Sequence, residues 1–201
     1  MKSLYSFIIK PLKSRYNNEI EVNDKKLILN SNIEIFQSVE KRAVVVSIPA
    51  AIKTDIKIGD ILYVHHNIFR QYYGVRGEVR NSSSYFKDDL FFCEPHQIYL
   101  YTSHDELKCN LDYCFVSPIE NKDILSVEKE KPLLGVVKYG NKSLEALGIN
   151  PGDFITFTPN SEFEFVVEDD LLYCMKSKDI ALKHEYEGNE KKYNPSWAKS
   201  S

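Results

Sequence analysis

Apolar and polar residues alternate over short stretches of the chain, and no segment keeps a long helical period. AVVVSIP (43–49) and FFCEPHQIYLY (91–101) are rich in β-branched and aromatic residues between turn-forming residues, which predicts strands. IKIGDILYV (56–64) alternates up to Gly59 and then resumes as a strand. SLEALGI (143–149) predicts one or two helical turns with Ser143 as N-cap. The pattern predicts an all-β protein.

The pattern also occurs twice in the same order, and such internal repeats bear on the whole fold. DDLFFCEPHQIYLY (88–101) matches DDLLYCMKSKDIAL (169–182), including a cysteine in each, Cys93 and Cys174. Four further pairs precede it in each half: 7–12 with 114–119, 38–41 with 126–129, 43–49 with 133–140, and 56–64 with 149–157. The order predicts two copies of one fold, spanning residues 5–101 and 112–184.

The resulting domain prediction has four parts. The first repeat lies within residues 1–101, the linker is 102–111, the second repeat is 112–184 and the C-terminal tail is 185–201. The chain of 201 residues has room for two such small domains.

Short motifs stand in a fixed order along the two repeats. They are Pro11-Leu12-Lys13-Ser14-Arg15, Leu27-Ile28-Leu29, Val44-Val45-Val46, Ile56-Lys57-Ile58-Gly59-Asp60, Gly152-Asp153 and Met175-Lys176-Ser177-Lys178-Asp179-Ile180. In this order they resemble the GroES family of co-chaperonins. The resemblance implies two GroES-like small β-barrels in tandem. It also implies a ring-forming homo-oligomer that caps a GroEL-type chaperonin and assists ATP-driven protein folding, without a cofactor.

In this family a mobile loop carries an apolar tripeptide that docks on the chaperonin. The resemblance places the loop at 16–42 and the docking residues at Leu27, Ile28 and Leu29. The alternative is a hairpin that turns at Asn23-Asp24, with its leucines packed in the barrel. The second repeat has a shorter loop at 120–132, in which Ile124 and Leu125 are the candidates.

Two departures from the family affect the expected function. The dome hairpin is replaced by short segments, 50–55 and 141–147, so a ring would have little or no roof. The first repeat also carries an insertion at 65–87 with interleaved arginines and aromatics. Its interface candidates are Arg70, Tyr72, Tyr73, Arg76 and Arg80. The insertion is interpreted as a protein interface, a plain structural hairpin or, with less support, a base-stacking surface.

The tail contains Trp197, the one tryptophan of the chain. It is either part of a loose terminus or an anchor that contacts a neighbouring subunit. Trp197 therefore joins the insertion residues as an interface candidate.

Composition and motifs argue against other classes of protein. The net charge of −3 does not favour a nucleic-acid or membrane partner, and no apolar run approaches a membrane span. The four cysteines form no CxxC pair, and adjacent His65 and His66 would point to opposite faces of a strand. Cys93, Glu94 and His96 are interpreted as a buried strand residue followed by a polar turn. No catalytic or metal residues are predicted, and the protein is not expected to be an enzyme.

The expected location is the cytoplasm, or the host cytoplasm if the chain is phage-encoded, since the elaborations are more typical of a phage member. The alternative function is a non-enzymatic structural or adaptor protein, such as a virion component, that uses the barrel pair for protein contacts. Fold alone does not decide between these functions.

Overall fold

The chain is all-β, as predicted, and divides into two units, Met1–Leu107 and Lys108–Ser201. The structure is a computed structural model that describes residues 3–16, 19–22, 25–28, 39–123, 126, 128–185, 188 and 190–200. Each unit has its own antiparallel sheet and its own hydrophobic core.

The first unit contains most of a seven-stranded sheet with the order β11-β10-β5-β4-β1-β9-β8. Two short hairpins, β2-β3 and β6-β7, form separate two-stranded sheets. The strands are β1 (Phe7–Pro11), β2 (Glu19–Val22), β3 (Lys25–Ile28), β4 (Arg42–Ser47), β5 (Ile61–Val64), β6 (Gln71–Tyr73), β7 (Val79–Asn81), β8 (Tyr85–Lys87), β9 (Leu90–Cys93), β10 (Ile98–Ser103) and β11 (Glu106–Cys109). Short 3-10 helices span His66–Ile68 and Pro95–Gln97.

The second unit contains a six-stranded sheet with the order β15-β16-β12-β13-β14-β17. Its elements are β12 (Tyr113–Glu120), β13 (Glu130–Tyr139), α1 (Lys142–Ala146), β14 (Phe154–Phe157), β15 (Phe163–Val167), β16 (Asp170–Lys176) and β17 (Ile180–His184). Further 3-10 helices span Ser177–Asp179 and Ser196–Ser200.

The two sheets have the same strand order once the edge strand β11 is set aside. In chain order β1, β4, β5, β8, β9 and β10 take the places that β12, β13, β14, β15, β16 and β17 take in the second unit. Each also has a 3-10 helix just before its last equivalent strand. The duplication expected from the sequence is therefore present in the strand order. Within the described ranges both orders are linear, so barrel closure stays a prediction.

A glycine-aspartate turn at the entrance to one strand is shared by both units. Gly152 has φ +97 and donates its N–H to Val137 O at 2.8 Å. Asp153 then accepts the N–H of Asn150 on its carboxylate at 2.7 Å. The turn needs a residue that adopts positive φ without a Cβ penalty. The same two kinds of bond recur around Gly59, whose φ is +93.

The match between Cys93 and Cys174 is wrong as a structural equivalence. Cys93 lies opposite Phe7, whereas Cys114, the residue that takes the place of Phe7, lies opposite Met175. Cys174 is one position away and so points to the other face of its sheet. The shift arises because β16 has seven residues and β9 has four. All three cysteines are nevertheless buried.

Each core lies on the inward face of its sheet. The first core contains Phe7, Ile9, Tyr16, Val39, Ala43, Val45, Ile56, Leu62, Val64, Ile68, Phe69, Phe91, Cys93, Ile98 and Tyr101. The second contains Cys114, Val116, Val137, Leu144, Ile149, Ile155, Phe157, Tyr173 and Met175. A fully buried phenylalanine such as Phe91 contributes roughly 1.5–3 kcal/mol through apolar burial.

The helix in the second unit is shorter than a typical helix and has a different cap from the predicted one. Asn141, not Ser143, is the N-cap of α1 and accepts the N–H of Leu144 at 3.1 Å. Asn141 also donates to Tyr113 O at 2.7 Å and is buried. The observed N-cap therefore lies two residues before the predicted one, where the side chain of Asn141 also bonds to β12.

The segments predicted as linker and tail contain ordered structure. Residues 102–111 include the end of β10 and all of β11. In the tail, Tyr193 donates its N–H to Pro118 O, and Asn194 accepts the N–H of Leu171. Residues 190–200 therefore pack against the second unit.

We predict that Gly152→Ala lowers the free energy of unfolding by about 1–2 kcal/mol, since a side chain at positive φ is strained. Gly140→Ala is the matched control. A Cβ there would lie 3.8 Å from Pro151, an ordinary contact, and φ is not positive. Urea denaturation followed by far-UV circular dichroism measures both variants. Equal stability of the two would contradict the assigned turn.

Candidate functional site

The predicted docking segment lies in the β2-β3 hairpin. Glu19 pairs with Ile28 and Val22 pairs with Lys25, so β2 and β3 form an antiparallel hairpin. The predicted turn residues Asn23 and Asp24 lie outside the described residues. Leu27 and Ile28 lie in β3, and Leu29 lies outside the described residues. The second-repeat candidates Ile124 and Leu125 also lie outside them. The backbone favours a hairpin here, and the docking role of the tripeptide stays a prediction.

The base of this segment is held firmly in the first unit. Tyr16 and Val39 form an antiparallel bridge, and both are buried in the core. Tyr16 Oη accepts the N–H of Gln71 at 2.5 Å. Glu40 N donates to Arg15 O at 2.9 Å. Tyr16 and Val39, which flank the β2-β3 hairpin in the sequence, are therefore anchored in the first core, and β2 and β3 form a sheet of their own.

The insertion forms a second hairpin, β6-β7, that also stays separate from the main sheet. Tyr72 and Tyr73 are partly exposed, at 41% and 47%. Arg80 forms an ion pair with Glu78, whose other carboxylate oxygen accepts the N–H of Arg76 at 3.1 Å. These side chains are therefore at least partly exposed at the surface of the insertion.

Arg70 is positioned differently from the other two arginines of the insertion. Its Nε is buried and has no hydrogen-bond acceptor among the residues that the structure describes. Its positive charge also helps to lower the pKa of His66, which lies near the start of the insertion. The described contacts therefore do not gather Arg70, Arg76 and Arg80 around one group.

The prediction that His65 and His66 point apart is wrong. The chain enters a 3-10 helix at His66, and the two rings stack with centroids 4.4 Å apart. His65 Nδ1 accepts the N–H of Asn67 at 3.1 Å and caps this helix. Burial, followed by the charges of His65, Lys41 and Arg70, lowers the pKa of His66 to about 4.

The stretch around Cys93 contains a strand end and a polar turn, as predicted. Cys93 is fully buried, and burial raises the pKa of its thiol. Glu94 and His96 are exposed at the 3-10 helix that follows, and Glu94 Oε2 lies 3.3 Å from His96 Nδ1. Glu94 N donates to Gln97 Oε1 at 2.9 Å, and Lys176 N makes the equivalent bond to Asp179. Throughout the described ranges no three His, Cys, Asp or Glu side chains form a metal-binding group.

Trp197 lies beside a cleft in the second unit that the sequence did not indicate. The cleft has a volume of about 500 Å³. Its inner wall consists of Leu133, Phe157, Leu171 and Tyr173. Trp197, in the 3-10 helix of the tail, lines it and is 53% exposed. The tail thus brings the tryptophan to a site within its own unit.

The outer wall of the cleft carries four glutamates and two lysines. These are Glu128, Glu130, Glu162, Glu164, Lys129 and Lys131. Lys131 already pairs with Glu190 at 3.0 Å. Tyr173 Oη donates to the carboxylate of Glu130 at 2.6 Å. Burial, followed by this hydrogen bond and the nearby glutamate charges, raises the pKa of Tyr173.

A difference in connection length between the two repeats could have indicated this cleft from the sequence. Residues 65–84 connect β5 to β8 in the first unit, whereas residues 158–162 connect β14 to β15 in the second. In the first unit the longer connection places Phe69 against Phe91, with ring centroids 4.9 Å apart. The shorter connection has no equivalent of Phe69.

No protein-family model matches the chain, and no curated protein matches it. In the described part of the chain no helix is long and apolar enough to cross a membrane.

We predict that wild-type protein loses stability relative to His66→Gln as the pH falls from 6.5 to about 4. The folded-state pKa of His66 is lower than its ordinary value of 6.5, so folding favours the neutral ring. That contribution is present above pH 6.5 and is lost on acidification through about pH 4. Urea denaturation across this range measures it. A wild-type slope for His66→Gln would refute the assignment.

Proposed function

We propose that this chain is a tandem GroES-like co-chaperonin that caps a GroEL-type chaperonin and assists ATP-driven protein folding. The observation that carries the proposal is the shared strand order of the two units, together with the glycine-aspartate turn in each. This supports the duplication on which the family resemblance rests. In this proposal each unit is a GroES-like barrel, and the protein acts through contacts with other proteins. It works in the cytoplasm, or in the host cytoplasm if it is phage-encoded.

The β2-β3 hairpin is the proposed chaperonin contact. Its base is fixed by the Tyr16–Val39 bridge, while its strands pair with each other and not with the seven-stranded sheet. Such an element can dock without disturbing the core. Burial of Leu27, Ile28 and Leu29 against an apolar groove would contribute about 25 cal/mol per Å² of apolar surface.

Self-association into a ring is part of the proposal. The two sheet orders end at β11 and β8 and at β15 and β17, and among the described residues each of these four strands has one neighbouring strand. An edge strand carries backbone groups that can pair with another chain. The partner in this case would be a second copy of the chain.

A ring of these subunits would have a reduced roof. Residues 48–60 form turns and one bridge, and residues 140–153 form α1 and turns, with no strand hairpin in either described segment. We infer that the enclosed chamber has more room for a bulky client protein. A cryo-electron microscopy map of the ring with a closed dome would overturn this inference.

A structural or adaptor role is the second candidate, and one surface favours it. On the outward face of the first sheet Phe86 and Phe92 pack with centroids 5.1 Å apart, and both are partly exposed. Exposed apolar side chains that lie close together commonly mark protein contacts.

The two candidates are separated by a binding experiment with a GroEL-type chaperonin. We predict nucleotide-dependent co-elution on size-exclusion chromatography for the wild-type protein. The Leu27→Ser, Ile28→Ser, Leu29→Ser triple variant should lose co-elution, because the apolar docking surface is removed. Its circular dichroism spectrum should stay that of the wild type.

A matched control replaces three exposed leucines outside the hairpin and the edge strands by serine, Leu4, Leu111 and Leu147. This variant should co-elute like the wild type. Failure of the wild-type protein to bind its cognate chaperonin, while it self-associates, would overturn the co-chaperonin proposal in favour of the structural role.

A further inference from the structure

The cleft of the second unit lies where the first unit fills the end of its core. Ile9 pairs with Phe91 in the first unit, and Val116 pairs with Tyr173 in the second. Since Pro11 and Pro118 align the two strands, Phe91 and Tyr173 are equivalent residues. Phe91 is covered by Phe69, whereas Tyr173 lines the cleft.

An arginine completes the filled end of the first unit. The guanidinium of Arg15 lies 4.9 Å from the centroid of the Phe91 ring. Its Nη2 donates to Phe69 O at 2.9 Å and its Nη1 to Asn81 Oδ1 at 2.8 Å. This fold therefore already accommodates a guanidinium beside the aromatic residue at this position.

The cleft of the second unit is lined by more carboxylates than cations, with four glutamates against two lysines. Glu162 lines the cleft, and its Oε2 is buried with no hydrogen-bond donor among the residues that the structure describes. A buried carboxylate oxygen without a donor is costly, so a ligand that supplies one would bind favourably. The carboxylates of Glu130 and Glu164 lie on the same cleft.

The residues that line the cleft favour a guanidinium over an ammonium group or a metal ion. A guanidinium is planar, presents several N–H donors and stacks on aromatic faces, whereas an ammonium is a compact, strongly hydrated charge. Tyr173 and Trp197 supply the aromatic faces, and the glutamates supply the acceptors. A metal ion fits less well, since the described residues contain no group of three metal-ligating side chains.

We propose that this cleft, between Tyr173, Trp197 and Glu162, binds the arginine side chain of a partner polypeptide. The half-exposed tryptophan leaves the cleft open to a chain lying on the surface. The proposal concerns the second unit alone and does not depend on the chaperonin contact of the β2-β3 hairpin.

The test uses the full-length protein, in which Trp197 is the one tryptophan, so its fluorescence reports on the cleft directly. The probe is a blocked peptide, Gly-Phe-Arg-Gly, and the comparison peptides carry citrulline or lysine in place of arginine. We expect a saturable fluorescence change with the arginine peptide. Binding should be at least about tenfold weaker with either comparison peptide, which is the effect of losing one charged or bidentate contact.

A matched pair of variants tests the role of the carboxylate. Glu162→Gln keeps the shape but removes the charge, and it should weaken binding of the arginine peptide by about tenfold. Glu145→Gln, on the exposed face of α1, should bind like the wild type. Isothermal titration calorimetry gives an independent affinity, and thermal unfolding shows that both variants are folded.

Three results would overturn the proposal. They are no saturable response to the arginine peptide, equal affinity for the citrulline peptide, and equal binding by Glu162→Gln and the wild type. Tighter binding of free agmatine than of the peptide would assign the cleft to a small guanidino compound and would also overturn the proposed occupant. Loss of chaperonin co-elution in the hairpin variant would leave each of these outcomes unchanged.

Discussion

The end of a small β-sheet core has to be covered, because apolar side chains left open to water lose the burial that stabilises the fold. The two units meet this constraint differently. In the first, Phe69 packs edge-on against Phe91 and is itself fully buried. In the second, Tyr173 takes the place of Phe91 and keeps its hydroxyl bonded to Glu130. In the second unit this residue lines a cleft.

The filled end of the first unit fixes both of its separate hairpins. Tyr16 belongs to the same core and bonds to Gln71 at the start of β6, while Arg15 bonds to Asn81 at the end of β7. The excursion at 16–39 and the insertion therefore start from one packed base. This arrangement holds two candidate interaction elements on a rigid part of the molecule. In the second unit the tail packs at the cleft in place of an insertion.

Several features were predictable from local sequence signals. Gly59 and Gly152 before aspartate indicated strand entrances, because positive φ favours glycine, and both turns are present. The burial of Cys93 and the polar turn at Glu94 followed from apolar rhythm and a proline. The stacking of His65 on His66 did not, because it depends on a 3-10 helix where a strand was expected. The sequence alignment of Cys93 with Cys174 failed because β9 and β16 differ in length. Matching residue types alone could not show that difference.

By itself the sequence determined the all-β class and the duplication, because alternation and turn residues are local properties that recur at matched positions. The tertiary structure decided which residues meet across the fold. It placed Glu130, Glu162 and Trp197 on one cleft, although Glu130 and Trp197 lie 67 positions apart in the sequence. Strand pairing and a short connection bring such residues together. Neither effect is encoded in the residues taken singly, so the cleft emerged from the structure and not from a motif.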